Sequence, residues 1–109
     1  MESKLAIQAL SALAQDSRLA IFRLLVRQGP EGLTVGRIGE ALGLPPATLS
    51  FHLKELSLAG LTHTRQEGRF IHYSVDFSRM NALLAFLSED CCGGQACLPA
   101  LATTTKACC

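Results

Sequence analysis

The chain has 109 residues, 49% of them hydrophobic, which fits one globular domain with a modest core. Its formal net charge of +1 is too small to indicate nucleic-acid binding by itself. No apolar run is long enough to span a membrane, and no charged start precedes an apolar signal segment. The sequence therefore predicts a cytoplasmic protein with no membrane partner.

All five cysteines fall between positions 91 and 109. Cysteines spread along a short chain would suggest a disulfide scaffold, but these cannot cross-link the body of the domain. Their odd number in a cytoplasmic context indicates thiol chemistry instead. We therefore expect a folded domain over residues 1–90 and a flexible tail over residues 91–109. The cysteines are Cys91, Cys92, Cys97, Cys108 and Cys109.

Two helices are predicted before the first Gly-Pro pair. Ser3 is expected to cap a helix from Lys4 to Ala14, and Asp16 is expected to cap one from Ser17 to Gln28. The second of these helices is amphipathic, with apolar residues at helical spacing and arginines between them. Its predicted inward residues are Leu19, Phe22 and either Leu25 or Val26, and its predicted outward residues are Arg18, Arg23 and Arg27.

A helix-turn-helix is predicted next. Thr34 can cap a short third helix that closes at Gly43, and a fourth helix runs from Pro46 to Ala59 with Gly60 as a left-handed stop. A short helix, a tight glycine turn and a second helix form this motif. The fourth helix has one apolar stripe, made of Leu49, Leu53 and Leu56.

After Gly60 the pattern favours extended chain. The segments Leu61 to Gln66 and Phe70 to Val75 read as two strands joined by a turn at Glu67 and Gly68. Helical periodicity then returns from Phe77 to Leu87. The predicted fold class is mainly α with a β-hairpin wing, that is, a winged helix-turn-helix.

Three segments resemble the ArsR/SmtB family of metal-responsive bacterial repressors. They are SRLAIFRLLV, PATLSFHLKELSLAGLT and EGRFIHYSV, and the resemblance extends from about Ala12 to Leu87. It implies a repressor whose partner is double-stranded operator DNA rather than a small organic substrate. No phosphate-cradling glycine loop, no nucleophile with a placed base and no βαβ alternation argues for an enzyme.

The fourth helix carries side chains suited to DNA. Thr48 and Ser50 can bond to phosphates or base edges, and Lys54 is placed for a phosphate. Phe51 can rest on a thymine methyl group or pack under the wing.

The resemblance adds His52 to this surface, because the family residues matching Ser50, Phe51 and His52 approach the groove. Helical spacing puts His52 nearer the core edge, so a packed histidine is the alternative. At the wing tip Arg69, beside Gly68, can reach phosphates or the minor groove.

The first and last helices carry more apolar surface than one small domain buries. The resemblance implies that these two helices form the interface of a homodimer. Two recognition helices would then lie about one DNA turn, roughly 34 Å, apart on a palindromic operator.

The stretch CCGGQAC brings Cys91, Cys92 and Cys97 together, and its glycines allow a tight bend. Three soft thiolates suit arsenite, As(III), and its heavier analogue Sb(III). The family's other inducer sites have no counterpart, since the third helix lacks cysteine and the last helix lacks their histidines. The resemblance therefore implies an arsenite-responsive repressor released through the tail.

Other readings of the cysteines stay open at this point. A methylated trivalent arsenical would need only two thiols, zinc or cadmium would take a fourth sulfur from Cys108 or Cys109, and oxidation could form disulfides. A winged helix that binds protein instead of DNA is the rival from another class. The operator, the regulated genes and whether each site lies within one chain or across the dimer also stay open.

Overall fold

The computed structural model describes residues 1–90 and Gly93. The mainly helical fold with a β-hairpin wing predicted from the sequence is confirmed. In chain order the elements are α1 Ser3–Leu13, α2 Asp16–Gln28, a 3-10 turn Gly29–Glu31, β1 Leu33–Thr34, α3 Val35–Leu42, α4 Pro46–Leu58, β2 Thr62–Glu67, β3 Phe70–Val75 and α5 Phe77–Leu87.

Two of the predicted helix caps are wrong. The residue before α1 is Glu2, with extended backbone and no capping side chain, and Ser3 is already helical. At α2 the cap is Gln15, whose side-chain oxygen accepts a hydrogen bond from the Arg18 amide at 2.9 Å. The Gln15 side chain thus satisfies the free Arg18 amide of the first turn, which is the role expected of an Asp cap. Asp16 itself is the first residue of the helix.

The core is formed where α2, α3 and α4 pack together and against β3. Its side chains come from each of the five helices in the described residues, from the segment after α4 and from β3, which is why one small domain can exclude water from so many of them. The largest fully buried side chains are Ile21, Leu25, Ile38, Leu49, Leu53, Leu56, Leu61 and Val75.

The predicted faces of α2 need two corrections, at Leu19 and at Arg18. Leu19 is 44% exposed, whereas Ile21 is fully buried beside Phe22 and Leu25. The inward face is therefore set by positions 18, 21, 22 and 25, which share one side of a helix. Arg18 consequently lies at the inner edge of α2 and is half-buried rather than outward.

The wing belongs to a three-stranded antiparallel sheet in the order β1-β3-β2. The sequence pattern did not predict β1, in which Leu33 pairs with Tyr73 and Thr34 with His72. This short strand leads directly into α3, because Thr34 also caps that helix by accepting from the Arg37 amide at 3.3 Å. The wing is thus joined to the start of the helix-turn-helix.

The link between α4 and the wing is a tight left-handed turn. Gly60 has φ +77°, and the Leu61 amide donates to the Leu56 carbonyl at 3.0 Å, as in a glycine-terminated helix. A side chain on Gly60 would meet the guanidinium of Arg79, whose carbon lies 2.9 Å from the position of a Cβ atom. The first turn of α5 therefore covers this turn.

Among the helices of residues 1–90 and Gly93, none has the length and apolar character needed to span a membrane.

Candidate nucleic-acid interface

The helix-turn-helix consists of α3 and α4. α3 closes on Gly43 in the left-handed conformation, and the Gly43 amide donates to the Gly39 carbonyl at 2.8 Å. Pro45 then precedes α4, and Pro46 occupies its first turn, where a proline loses no hydrogen bond. The sharp turn and the rigid start fix the direction of α4, which we call the recognition helix.

The recognition helix presents four of the predicted DNA-binding residues to solvent. Thr48, Ser50, Phe51 and Lys54 are all exposed, and Phe51 remains 55% accessible despite its size. The structure therefore brings together hydroxyl groups, an aromatic ring and an ammonium group on one helix. These groups suit phosphates, base edges and a thymine methyl group.

His52 differs from these residues because it faces inward. It is 8% exposed and shares a helix face with Leu49, Leu53 and Leu56. Its Nδ1 lies 3.3 Å from a terminal nitrogen of Arg18. Its contact with DNA stays a prediction, but the ring has little free surface with which to make one.

At the wing tip, Arg69 and Arg65 have different surroundings. Gly68 makes the turn with φ +62°, and Arg69 follows it as an exposed residue. Arg65 lies 3.6 Å from the carboxylate of Glu67, which partly offsets its charge. Arg69 is therefore the better placed of the two to meet a phosphate.

A groove separates the wing tip from the start of α3. It has a volume of 290 Å³ and is bounded by Thr34, Val35 and Gly36 on one side and by Arg69, Phe70 and Ile71 on the other. Phe70 is 63% exposed, and sequence reasoning gave it no role. Strand alternation could not show its exposure, because the outer half of the wing has no core to pack against.

Sequence reasoning also missed two arginines, one behind the recognition helix and one beside the turn that follows it. The Arg18 side chain donates through Nε to the carbonyl of Ala12 at the end of α1, and it reaches His52 on α4. Its spacing from Ile21, Phe22 and Leu25 was the available signal. Arg79 gave no local signal, since its guanidinium lies near Gly60, which is distant in sequence and belongs to the turn after α4.

The predicted metal ligands Cys91, Cys92 and Cys97 lie outside the described residues. In the part of the chain that the structure describes, no three histidine, cysteine, aspartate or glutamate side chains form a group that could hold a metal ion. The last described helix ends at Leu87, so the cysteine pair follows α5 after three residues.

Comparison with known proteins places this geometry in a class. The fold and the exposed face of α4 are those of a winged helix-turn-helix DNA-binding protein, and the helix-turn-helix domain family matches residues 13–65. YceK of Bacillus subtilis, described as an uncharacterized HTH-type transcriptional regulator, is 39% identical over 74 residues, which are 68% of this chain and 73% of YceK.

Two further relatives indicate which family of winged helix-turn-helix proteins this chain resembles. A Mycobacterium bovis domain, described as homodimeric and a possible ArsR-family regulator, has 31% identity and a TM-score of 0.63, with 80% of this chain and 81% of that one covered. A Staphylococcus aureus homologue of the cadmium resistance regulatory protein CadC is 32% identical over 80 residues, 72% of this chain and 64% of the relative. The chain belongs to the ArsR family of winged-helix transcriptional regulators. These relatives are described as regulators of transcription rather than as enzymes.

Proposed function

We propose that the protein is an arsenite-responsive transcriptional repressor. It binds a palindromic operator as a homodimer in the cytoplasm, and it leaves the operator when As(III), or Sb(III), binds Cys91, Cys92 and Cys97. The observation that carries the proposal is the grouping of these three thiols between positions 91 and 97, directly after α5.

The donor set favours a trivalent metalloid. Thiolates are soft ligands, and three of them satisfy a three-coordinate thiophilic centre that keeps a lone pair. Zinc usually takes four ligands in a closed site, often including histidine. The nearest histidine in the sequence is His72, well before the cluster.

The exposed apolar residues of the outer helices support a dimer. Ile7 is 64% exposed and Leu10 is 42% exposed on α1, and Leu87 is 56% exposed on α5. Burial of such side chains between two copies would remove a substantial apolar area from water. The homodimeric state of the Mycobacterium bovis relative is consistent with this arrangement.

Release from DNA requires that arsenite bind more tightly to a state with low operator affinity. A coupling free energy of about 1–3 kcal/mol is typical of such linkage and corresponds to an affinity change of about 5- to 150-fold. The recognition helices need only a small change in separation or angle to lose register with two half-sites.

The test is fluorescence anisotropy of a labelled promoter fragment from upstream of the gene. Reduced protein is titrated onto the DNA, and arsenite is then added to the complex. We expect release with the parent protein and none with Cys91→Ser, Cys92→Ser or Cys97→Ser. Cys108→Ser and Cys109→Ser are matched controls outside the proposed site and should respond as the parent does.

The same assay distinguishes this proposal from its rivals. Release that survives Cys97→Ser but not the other two changes would contradict the three-thiol site and favour a methylated arsenical as the inducer. Binding that ignores arsenite but yields to an oxidant would replace arsenite with redox sensing. Failure to bind the fragment, together with salt-insensitive binding to a protein partner, would favour the winged helix that binds protein, since DNA binding should fall steeply with salt.

The rate of arsenite binding should fall at acid pH, because the attacking species is the thiolate and protonated thiols react slowly. Three thiols that bind As(OH)3 lose their protons to its three hydroxide groups, which leave as water, so the equilibrium affinity should change little. Release of the labelled operator after mixing with arsenite should therefore be slower at pH 5.5 than at pH 8. Equal release rates at the two pH values would rule out thiolate attack as the trigger.

A second candidate inducer is cadmium. The Staphylococcus aureus relative is named for cadmium resistance, and a fourth sulfur from Cys108 or Cys109 would complete a four-thiolate site. In that case cadmium would release the operator, and loss of both terminal cysteines would abolish its effect. Arsenite release in the same double variant would return the assignment to the three-thiol site.

A further inference from the structure

Arg18 connects three helices at the back of the recognition helix. Its backbone amide is bound by the Gln15 side chain, which fixes the first turn of α2. Its Nε donates to the carbonyl of Ala12, one residue before the end of α1. Its terminal nitrogen lies 3.3 Å from Nδ1 of His52, 34 positions along the chain.

The direction of the Arg18 to His52 hydrogen bond follows from chemistry. A guanidinium group has donors and no acceptor, so Nδ1 of His52 must accept. Acceptance at Nδ1 leaves Nε2 as the ring nitrogen that carries the proton. His52 is buried on the face that carries Leu49 and Leu53, so this bond joins the inner side of α4 to α2. The bond from Arg18 to the Ala12 carbonyl extends the link to the end of α1.

We propose that Arg18 is a positioning residue for operator binding, acting through His52. By holding the middle of the recognition helix against the end of α1, it sets the angle at which Thr48, Ser50 and Phe51 meet the DNA. The inference rests on the proposed binding of operator DNA, and it gives His52 a role that involves no DNA contact.

The geometry requires arginine at this position. A guanidinium donates in two directions from one rigid plane, here to a carbonyl through Nε and to an imidazole through a terminal nitrogen. The ammonium of lysine is a single point on a flexible stem, so Arg18→Lys cannot keep both contacts in this geometry. Hydrogen bonds from a charged donor in a partly buried site are also stronger than neutral ones.

A double-mutant cycle on operator affinity tests the proposal. We expect Arg18→Met and His52→Leu each to weaken operator binding about tenfold, and we expect the two losses to be coupled, as is usual for residues in contact. The double variant should bind no more weakly than the worse single variant, because both changes remove the same contact. Arg23→Met is the matched control, since Arg23 lies on the exposed face of α2.

Multiplicative losses in the double variant would overturn the proposal, and a loss for His52→Leu alone would assign His52 to the DNA instead. Failure of the parent protein to bind the promoter fragment would contradict the proposed function itself. A parent that binds and releases normally, with independent losses at the two positions, contradicts only the role of Arg18.

Two further measurements distinguish positioning from a general loss of folding. His52→Asn places an amide oxygen near the position of Nδ1, so it should retain operator affinity with Arg18 present and lose it with Arg18→Met. Nitrogen-15 spectra of the imidazole should show the proton on Nε2 in the parent and a mixture of tautomers in Arg18→Met. An unchanged tautomer in a folded Arg18→Met protein would overturn the proposal.

Discussion

The recognition helix and the wing differ in how firmly the rest of the protein holds them. α4 buries Leu49, His52, Leu53 and Leu56 along one side. In β2 only Thr62 is buried, and the five residues after it are exposed. The orientation of α4 is therefore fixed by packing, whereas the outer wing depends mainly on the pairing of its own two strands.

This difference suggests a division of work between the two elements. Reading base edges requires side chains held in a defined position, which a packed helix provides. Contact with phosphates tolerates some adjustment, which suits a hairpin with little burial. Changes to α4 should therefore alter stability or sequence preference, and changes to the wing should alter the electrostatic part of binding.

The largest expected effect is on the buried face of α4. Leu53→Ala should lower the free energy of unfolding by about 2–5 kcal/mol, because it removes a fully buried side chain and leaves a cavity. Phe70→Ala at the exposed wing tip should change it by no more than about 0.5 kcal/mol. Urea unfolding measures both, and equal losses would show that the wing is held as firmly as the helix.

Alanine substitutions of Gly60 and Gly68, which lie before and after β2, should differ in their cost to stability. Gly68→Ala at the tip should cost about 1–2 kcal/mol, since an L-residue must adopt the left-handed conformation but no atom lies within 4 Å of the new Cβ. Gly60→Ala should cost more, because the Arg79 guanidinium must also move. Thermal unfolding of both variants measures these costs. Gly60→Ala combined with Arg79→Ala should recover part of the lost stability, and the absence of any recovery would contradict a clash with Arg79.

On DNA, Phe51→Ala should lose about 1–3 kcal/mol of discrimination at one base pair, the amount typical of a single position. Replacement of thymine by uracil removes the methyl group that Phe51 is predicted to contact. The parent should therefore bind a uracil-substituted operator more weakly, and Phe51→Ala should not distinguish the two. A variant that still prefers thymine would mean that Phe51 does not read the methyl group.

The smallest change is expected at the wing tip. Arg69→Ala should weaken binding equally for different DNA sequences and reduce the slope of log affinity against log salt by about 0.9, as for one lost phosphate contact. Arg65→Ala should have a smaller effect because Glu67 already offsets its charge. A change in sequence preference on removal of Arg69 would contradict a purely electrostatic role.

Much of the fold was predictable because its signals are local. Over residues 1–90, the five helices and the two wing strands follow from periodicity. Thr34, Gly43 and Gly60 begin or end elements as their chemistry predicts. β1 was not predictable, because a two-residue strand exists only through its pairing with β3. The wrong caps at Ser3 and Asp16 show that residue preference decides the end of a helix only to within a residue or two.

The candidate interface was predictable for a similar reason and to a similar extent. The exposed positions of Thr48, Ser50, Phe51 and Lys54 follow from the apolar stripe opposite them. The contact of Arg18 with His52 joins elements far apart in sequence, so no window of the sequence could report it. Arg18 was predicted to face outward because of its charge, but its spacing from Ile21 and Leu25 places it on the inward side of α2.

The position of Arg79 has a consequence for how the proposed signal from the cysteine tail would reach DNA. α5 has 11 residues, so it is a rod about 16 Å long, and the sequence beyond its far end leads into Cys91 and Cys92. Its near end covers Gly60, the joint shared by the recognition helix and the wing. A tilt of this rod would displace both DNA-facing elements through one joint, so each half-site would be gained or lost as a unit.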